Sequence, residues 1–229
     1  MTWHPDIPLE YRNQIVTGDA RELAKRIPDE SIDLIFTDPP YPYEYIDCYS
    51  MLSEMAQRVL RNKGLLFCYS GQSFLPEVIN RLCEHMEYRW TISLLHGSSQ
   101  IVWGKRAIAG WKPILVYSKS GLGDDTLIHD VVQPTHRDKR FHKWGQSSVE
   151  AIKYIDKFTE REGVILEPFC GGGSTIEAAK ILSRNYIAFE IDPDTAEMAR
   201  ERVLNTQPPL FVPEPEQLEL NPPSAQPDC

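Results

Sequence analysis

A chain of 229 residues with 41% hydrophobic content can build one domain around a sizeable core, and it is too short for two full domains. Its formal net charge is -9, from 24 Lys and Arg against 33 Asp and Glu, which argues against a uniformly basic nucleic-acid binder. The five cysteines, Cys48, Cys68, Cys83, Cys170 and Cys229, form no CxxC pair, so reduced thiols in a cytoplasm are expected rather than a disulfide framework or a zinc site. No secretory signal is read in the first ten residues, and no run approaches the ~20 apolar residues that span a bilayer.

In chain order, Gln14–Thr17 reads as a short strand ending at Gly18-Asp19, and Ala20–Ile27 as a helix. Ser31–Phe36 is an apolar run suited to a buried strand. It ends at Asp38-Pro39-Pro40-Tyr41, where two prolines cannot continue a sheet, so a loop is expected at the strand's carboxyl end. Asp47–Arg61 has helical spacing, with Met51, Leu52, Met55, Val59 and Leu60 as its apolar face and Asn62-Lys63-Gly64 as its stop. Leu65–Tyr69 is the next strand, Phe74–Glu87 a helix with Pro76 in its first turn, and Trp90–Leu95 and Ile114–Tyr117 are further strands.

Apart from that last strand, Gly97–Gly145 reads as irregular, basic and aromatic. It holds eight bases (Lys105, Arg106, Lys112, Lys119, Arg137, Lys139, Arg140 and Lys143) against four acids, Asp124, Asp125, Asp130 and Asp138. A basic segment on an acidic body suits a protein that presents one face to phosphate, and it equally suits a solvated surface loop. Helical spacing returns over Ser147–Glu162, followed by a strand at Val164–Leu166, a glycine-rich turn, a helix to Leu182, a strand at Tyr186–Phe189 and a helix at Pro193–Leu204. From Gln207 the chain is rich in Pro and Glu and free of Lys and Arg, the composition of a disordered tail.

Strands alternating with helices predict an α/β sheet, parallel or mixed, covered on both faces. Ligands in such sheets sit beyond the strands' carboxyl ends, where Asp38–Tyr41, Glu167–Thr175 and Glu190 all fall. Phe169-Cys170-Gly171-Gly172-Gly173 follows a strand and opens a helix, so its backbone can approach a ligand closely and its amides can face an anion. Glu190, at the end of the next strand, is placed to accept hydrogen bonds from both hydroxyls of a ribose. The loop with its coupled acid favours a nucleoside over a plain tight turn, and NAD would satisfy it as well.

The residue types of Asp38-Pro39-Pro40-Tyr41 suit one chemistry in particular. An exocyclic amine on a base is a poor nucleophile because its lone pair is delocalised into the ring. Two acceptors beside its N–H groups, the Asp38 carboxylate and the Pro39 carbonyl, draw the nitrogen toward sp³ character and aim the lone pair at a methyl donor. Tyr41 offers a flat face to a base that has left its helix. The prolines hold the acceptors before reaction, and no covalent intermediate is required.

Paired with Glu167-Pro168-Phe169-Cys170-Gly171-Gly172-Gly173, this loop resembles the amino-methyltransferases of DNA, and its position ahead of the glycine loop looks like their circularly permuted β class. The resemblance runs from Gln14 to Leu204. It implies a Rossmann-like methyltransferase sheet, permuted, in a catalytic domain over 1–206 with a tail over 207–229. It also implies S-adenosylmethionine as cofactor, a DNA partner and methylation of adenine N6 in a flipped-out base. Asp38, Pro39, Pro40 and Tyr41 become the catalytic set. Asp19, Asp38, Phe169, Cys170, Gly171, Gly173, Ser174, Thr175, Glu190 and Ile191 become the cofactor set. Residues 97–145 become a short target-recognition insertion, with Trp103, Lys105, Arg106, Trp111, Arg137 and Arg140 as DNA contacts, Trp111 having a core role as its alternative.

Two features depart from the family pattern: Glu167 stands where members often carry Asp, and Gln146-Ser147 where they often carry Lys-Pro. Methylation of cytosine N4 uses the same chemistry, although members of that type more often open the loop with Ser. C5 methylation is set aside because no cysteine follows a proline. Protein-glutamine methylation uses an Asn-led loop in the unpermuted order. RNA as substrate, a non-catalytic cofactor-binding subunit, and a monomer or a homodimer all stay open. An NAD-dependent oxidoreductase would account for the glycine loop and Glu190 but not for Asp38–Tyr41.

Overall fold

The computed structural model describes residues 3–121, 126–133 and 148–207, with the backbone alone at 96–98. The expected tail from 208 onward lies outside the described residues, as do Arg137 and Arg140. Eight strands are described: β1 (Gln14–Thr17), β2 (Ile32–Thr37), β3 (Leu60–Tyr69), β4 (Glu87–Val102), β5 (Ala107–Ser118), β6 (Val131–Val132), β7 (Val164–Glu167) and β8 (Asn185–Glu190). They form one sheet in the order β1-β8-β7-β2-β3-β5-β4-β6. β5 runs antiparallel to both neighbours, and the other pairs are parallel. The mixed α/β sheet is the one expected.

Alternation along β2 sets the two faces. Ile35 points into one core layer with Leu66 and Cys68 of β3 and Leu166 of β7. Leu34 and Phe36 point into the other with Phe67 and Ile165. The first layer is covered by α1 (Ala20–Leu23), α2 (Asp47–Val59) and α3 (Leu75–Leu82). The second is covered by α4 (Val149–Phe158) and α5 (Ser174–Ile181), while α6 (Pro193–Asn205) packs Ala196, Ala199 and Val203 on β1 and β8. Central strands buried on both sides must be apolar at every position, which is why β2 and β7 read as unbroken runs.

Three sequence expectations are corrected here. Asn62-Lys63-Gly64 does not end α2; it is an irregularity inside β3, where the pairing with β2 jumps from Ile32↔Leu60 to Leu34↔Leu65. Lys63 has φ 67 there, and a Cβ on Gly64 would lie 2.9 Å from the Arg61 carbonyl, so glycine is required. The described part of 97–145 is largely not irregular: β4 and β5 continue past the sheet as a paired arm to Val102↔Ala107. Ile101 and Ile108 face each other near its tip, and cross-strand pairs of this kind stabilise a ribbon that propensity alone leaves ambiguous. Finally, several helices are shorter than their periodicity suggested: α1 gives way to a 3-10 turn at Ala24–Arg26, α3 ends at Leu82, and α4 spans Val149–Phe158.

Candidate active site

The loops singled out from the sequence converge on one edge of the sheet. β2 and β7 are hydrogen-bonded neighbours, so Asp38 and the glycine loop emerge side by side although about 130 residues separate them, as the Thr37–Glu167 contact records. β8 lies beyond β7 and β1 beyond β8, and Thr17 pairs with Glu190. Asp19 and Glu190 are thereby brought to the same edge.

The glycine loop is shaped by two left-handed residues, Gly171 at φ 48 and Gly173 at φ 78. A Cβ on Gly173 would sit 3.1 Å from the Ala199 Cβ of α6, so the loop can hug that helix only as glycine. A Cβ on Gly171 would meet nothing within 4 Å, leaving open space on the ligand side. Glu190 grips the loop from below: one carboxylate oxygen accepts the Gly171 N–H at 2.7 Å, the other the Asp192 N–H at 3.0 Å. Each oxygen retains a lone pair, the arrangement a ribose diol needs. Arg202 of α6, fully buried, pairs with Glu177 of α5 at 2.6 Å and donates to the Gly172 carbonyl at 3.3 Å. Sequence reading passed over Arg202. Its signal was a charge inside the apolar stripe Ala196, Ala199, Val203, which a buried partner must satisfy.

The remaining expected cofactor residues divide. Phe169 is half-buried, Ser174 begins α5, and Ile191 is exposed at the rim. Cys170 turns its thiol into the core with Ile15, Ile176 and Ala188, so its part in the loop is backbone alone, its carbonyl accepting the Gly173 N–H. Asp19 caps α1 through the Arg21 N–H at 2.8 Å and forms an ion pair with the Arg21 side chain, which holds its carboxyl below the usual range.

Glu167 carries the departure from the family pattern, and the structure gives it a place. It is 2% exposed, accepts the Thr37 hydroxyl and the Phe169 N–H (3.0 Å), and so ties β2 to the glycine loop. Burial pushes its carboxyl up to about 8, against the pull of the Thr37, Phe169 and Thr175 donors. A carboxyl raised on folding stabilises the fold fully below its ordinary range and loses that contribution as pH climbs toward 8. Glu167→Gln should remove this slope. Urea unfolding at pH 5 and pH 9 should show the wild type losing about 2–5 kcal/mol more than the variant. Equal losses would place the buried charge elsewhere.

The Asp38 loop is more crowded than the sequence suggested. The Tyr41 hydroxyl donates to Asp38 Oδ1. Lys112 of β5 reaches in as well, its Nζ 3.3 Å from Oδ1 and 3.2 Å from Oδ2. The same ammonium lies 4.8 Å from the Tyr41 ring centroid and 4.2 Å from that of Tyr69. Pro39 is buried and Pro40 half-buried, so the carbonyls of this loop are fixed by packing. Lys112 had been read as one of eight surface bases. Its inward turn, and that of Lys119 toward the Leu60 carbonyl and Glu30, leave Lys105 and Arg106 as the exposed cations of the described arm. At the arm's tip Trp103 is 80% exposed, and Lys105 lies over the Phe74 ring, itself 5.0 Å from Tyr43 just past the Asp38 loop. Trp111 is half-buried on β5 opposite Leu95.

A parallel sheet with one antiparallel strand near its edge, a glycine loop with a coupled acid, and an Asp-Pro-Pro-Tyr loop on the adjoining strand define a Rossmann-like methyltransferase domain. The family model described as DNA methylase, N6_N4_Mtase, matches residues 32–201, and the chain belongs to this family of S-adenosylmethionine-dependent N6-adenine and N4-cytosine DNA methyltransferases. The Type II methyltransferase M.BamHI of Bacillus amyloliquefaciens is 25% identical over 245 residues, covering 84% of this chain and 57% of that protein. The chain thus spans little more than half the length of that relative. The DNA adenine methyltransferase YhdJ of Escherichia coli K12 is 23% identical over 250 residues, covering 86% of this chain and 85% of its own. Among solved structures, the cytosine-N4-specific PvuII DNA methyltransferase superposes with a TM-score of 0.73 at 18% identity, covering 84% of this chain and 86% of the other. A DNA modification methylase of Thermus thermophilus, complexed with S-adenosylmethionine, gives 0.68 at 21%, covering 83% and 92%. Among the described residues no helix is long and apolar enough to cross a membrane, and no group of three His, Cys, Asp or Glu could hold a metal ion.

Proposed function

We propose that this protein transfers a methyl group from S-adenosylmethionine to N6 of adenine in a base swung out of DNA. The observation that carries the reading is the adjacency of the Asp38 loop and the glycine loop at the ends of paired strands β2 and β7. Glu190, Gly171 and Gly173 would hold the cofactor's ribose and backbone-facing side, with Asp19 toward its adenine. When bound, S-adenosylmethionine supplies an electrophilic methyl group. The chain's own residues do the rest. Asp38 and the Pro39 carbonyl accept the two amine N–H groups and turn the lone pair toward the donor, and Tyr41 stacks the ring. Asp38 at the head of the loop favours adenine; cytosine N4 is the second reading, since its amine asks for the same two acceptors.

The arm of β4 and β5 is the part of 97–145 proposed to meet DNA. Lys105 and Arg106 would lie on phosphates and Trp103 against bases. Replacing Lys105 and Arg106 together by alanine should flatten the dependence of log K on log salt by about 2, close to one unit per lost phosphate contact. An unchanged slope in a filter-binding titration would move the phosphate contacts off this arm.

The direct test is incubation of the purified protein with unmethylated DNA and labelled S-adenosylmethionine, followed by nucleoside mass spectrometry and mapping of the modified site. N6-methyladenine is expected. N4-methylcytosine would move the base and keep the mechanism. Absence of any methylated base from a protein that binds the cofactor would overturn the reading.

A further inference from the structure

Lys112 does more than neutralise a carboxylate. Pro113 and Ile114 pair with Ser93 and with Tyr69 and Ile92, so Lys112 stands just beyond the carboxyl end of β3, on the same edge as Asp38. Its side chain is 14% exposed, and its ammonium is held by three groups at once: Asp38, Tyr41 and Tyr69. A buried ammonium gives up hydration that only such partners restore, so this placement is costly for a residue with a purely packing role. Glu150, at the start of α4, is 3% exposed and carries an oxygen with no hydrogen-bond partner, adding negative charge that favours the Lys112 ammonium.

The geometry has a chemical complement. In adenine the exocyclic amine lies beside an unprotonated ring nitrogen, N1; in cytosine it lies beside N3. Each base therefore offers a donor next to an acceptor along the edge it uses in the duplex. Asp38 and Lys112, 3.2 Å apart, offer an acceptor next to a donor. That is the order in which the lost partner base presented its own groups. An ammonium has three N–H groups, and the contacts to the two Asp38 oxygens engage two of them, leaving one to donate. Guanine and thymine present the reverse order on this edge, with a ring N–H that would face the ammonium and a carbonyl that would face the carboxylate.

We propose that Lys112 contacts the target base directly, donating a hydrogen bond to the ring nitrogen beside the amine: N1 if the base is adenine. This rests on the methyl-transfer reading above.

The test is a cycle on a synthetic duplex carrying the mapped site, with either adenine or 1-deaza-adenine at the target position (3-deazacytosine if cytosine is the methylated base). The wild type and K112M are compared by kcat/KM, with cofactor binding checked separately for each. Each single change should cost about tenfold to a hundredfold, the usual worth of a hydrogen bond to a charged group. In K112M the deaza base should cost less than about twofold more, because the contact it removes is already gone. Multiplying losses would overturn the proposal and reduce Lys112 to a partner of Asp38. So would a wild type that methylates the deaza duplex as well as the normal one, a result that needs no variant at all. K112Q serves the same cycle if K112M fails to fold. A wild type that methylates neither duplex brings down the methyl-transfer reading itself, which is a distinguishable failure.

Discussion

Asp38→Asn should lower methyl transfer by about a thousandfold or more, the scale of removing a prepositioned charged partner from a developing charge, while S-adenosylmethionine still binds. The isosteric amide keeps the shape of the loop but replaces one acceptor oxygen by an N–H donor, which would oppose the amine it must receive. Asp38→Ala should be as inactive and also less stable. It strips the Lys112 ammonium of the carboxylate 3.2 Å away. Leaving that buried charge short of a partner costs about 1–3 kcal/mol. Single-turnover transfer, cofactor titration and thermal unfolding together separate these effects. An Asp38→Asn enzyme that still methylates at the wild-type rate would remove the carboxylate from the chemistry. Loss of cofactor binding in that variant would make the loop structural.

The second large effect is expected at Glu190. Its two oxygens hold the Gly171 and Asp192 N–H groups in the structure, and in the proposed complex they would also take the ribose hydroxyls. Glu190→Ala removes the grip on the glycine loop together with both ribose contacts. Two hydrogen bonds to a charged acceptor correspond to about a hundredfold or greater loss in cofactor affinity. Glu190→Gln keeps the shape and one acceptor, so it should fall between. Calorimetric titration with S-adenosylmethionine measures all three proteins. An unchanged affinity in Glu190→Ala would show that the acid serves the loop's fold and not the ligand.

Much of this architecture was legible in the residues. The unbroken apolar runs of β2 and β7, the proline stop after Asp38 and the glycines after Phe169 are local signals: each follows from what a buried strand or a tight turn permits. They suffice for the α/β class, the order of the elements and the two loops of the site. The boundaries were less legible. α1, α3 and α4 stop short of their apolar periodicity because their ends meet turns and strands that the periodicity does not contain.

What local pattern could not decide was the partner of each charge. Lys112, Lys119 and Arg202 look, one residue at a time, like solvated bases. Whether such a side chain faces water or a carboxylate depends on which strands and helices are brought beside it from elsewhere in the chain. Asp38 reaches Lys112 across 74 positions, and Thr37 reaches Glu167 across 130. The same holds for the arm of β4 and β5, where Ile101 and Ile108 gain a strand's stability only from each other. The residues by themselves determined the fold class and the loops that carry chemistry, because those rest on short-range sterics and on burial averaged over a segment. Tertiary structure alone decided which cations turn inward and which acids they meet, because desolvation and ion pairing act between atoms that only the folded sheet makes neighbours.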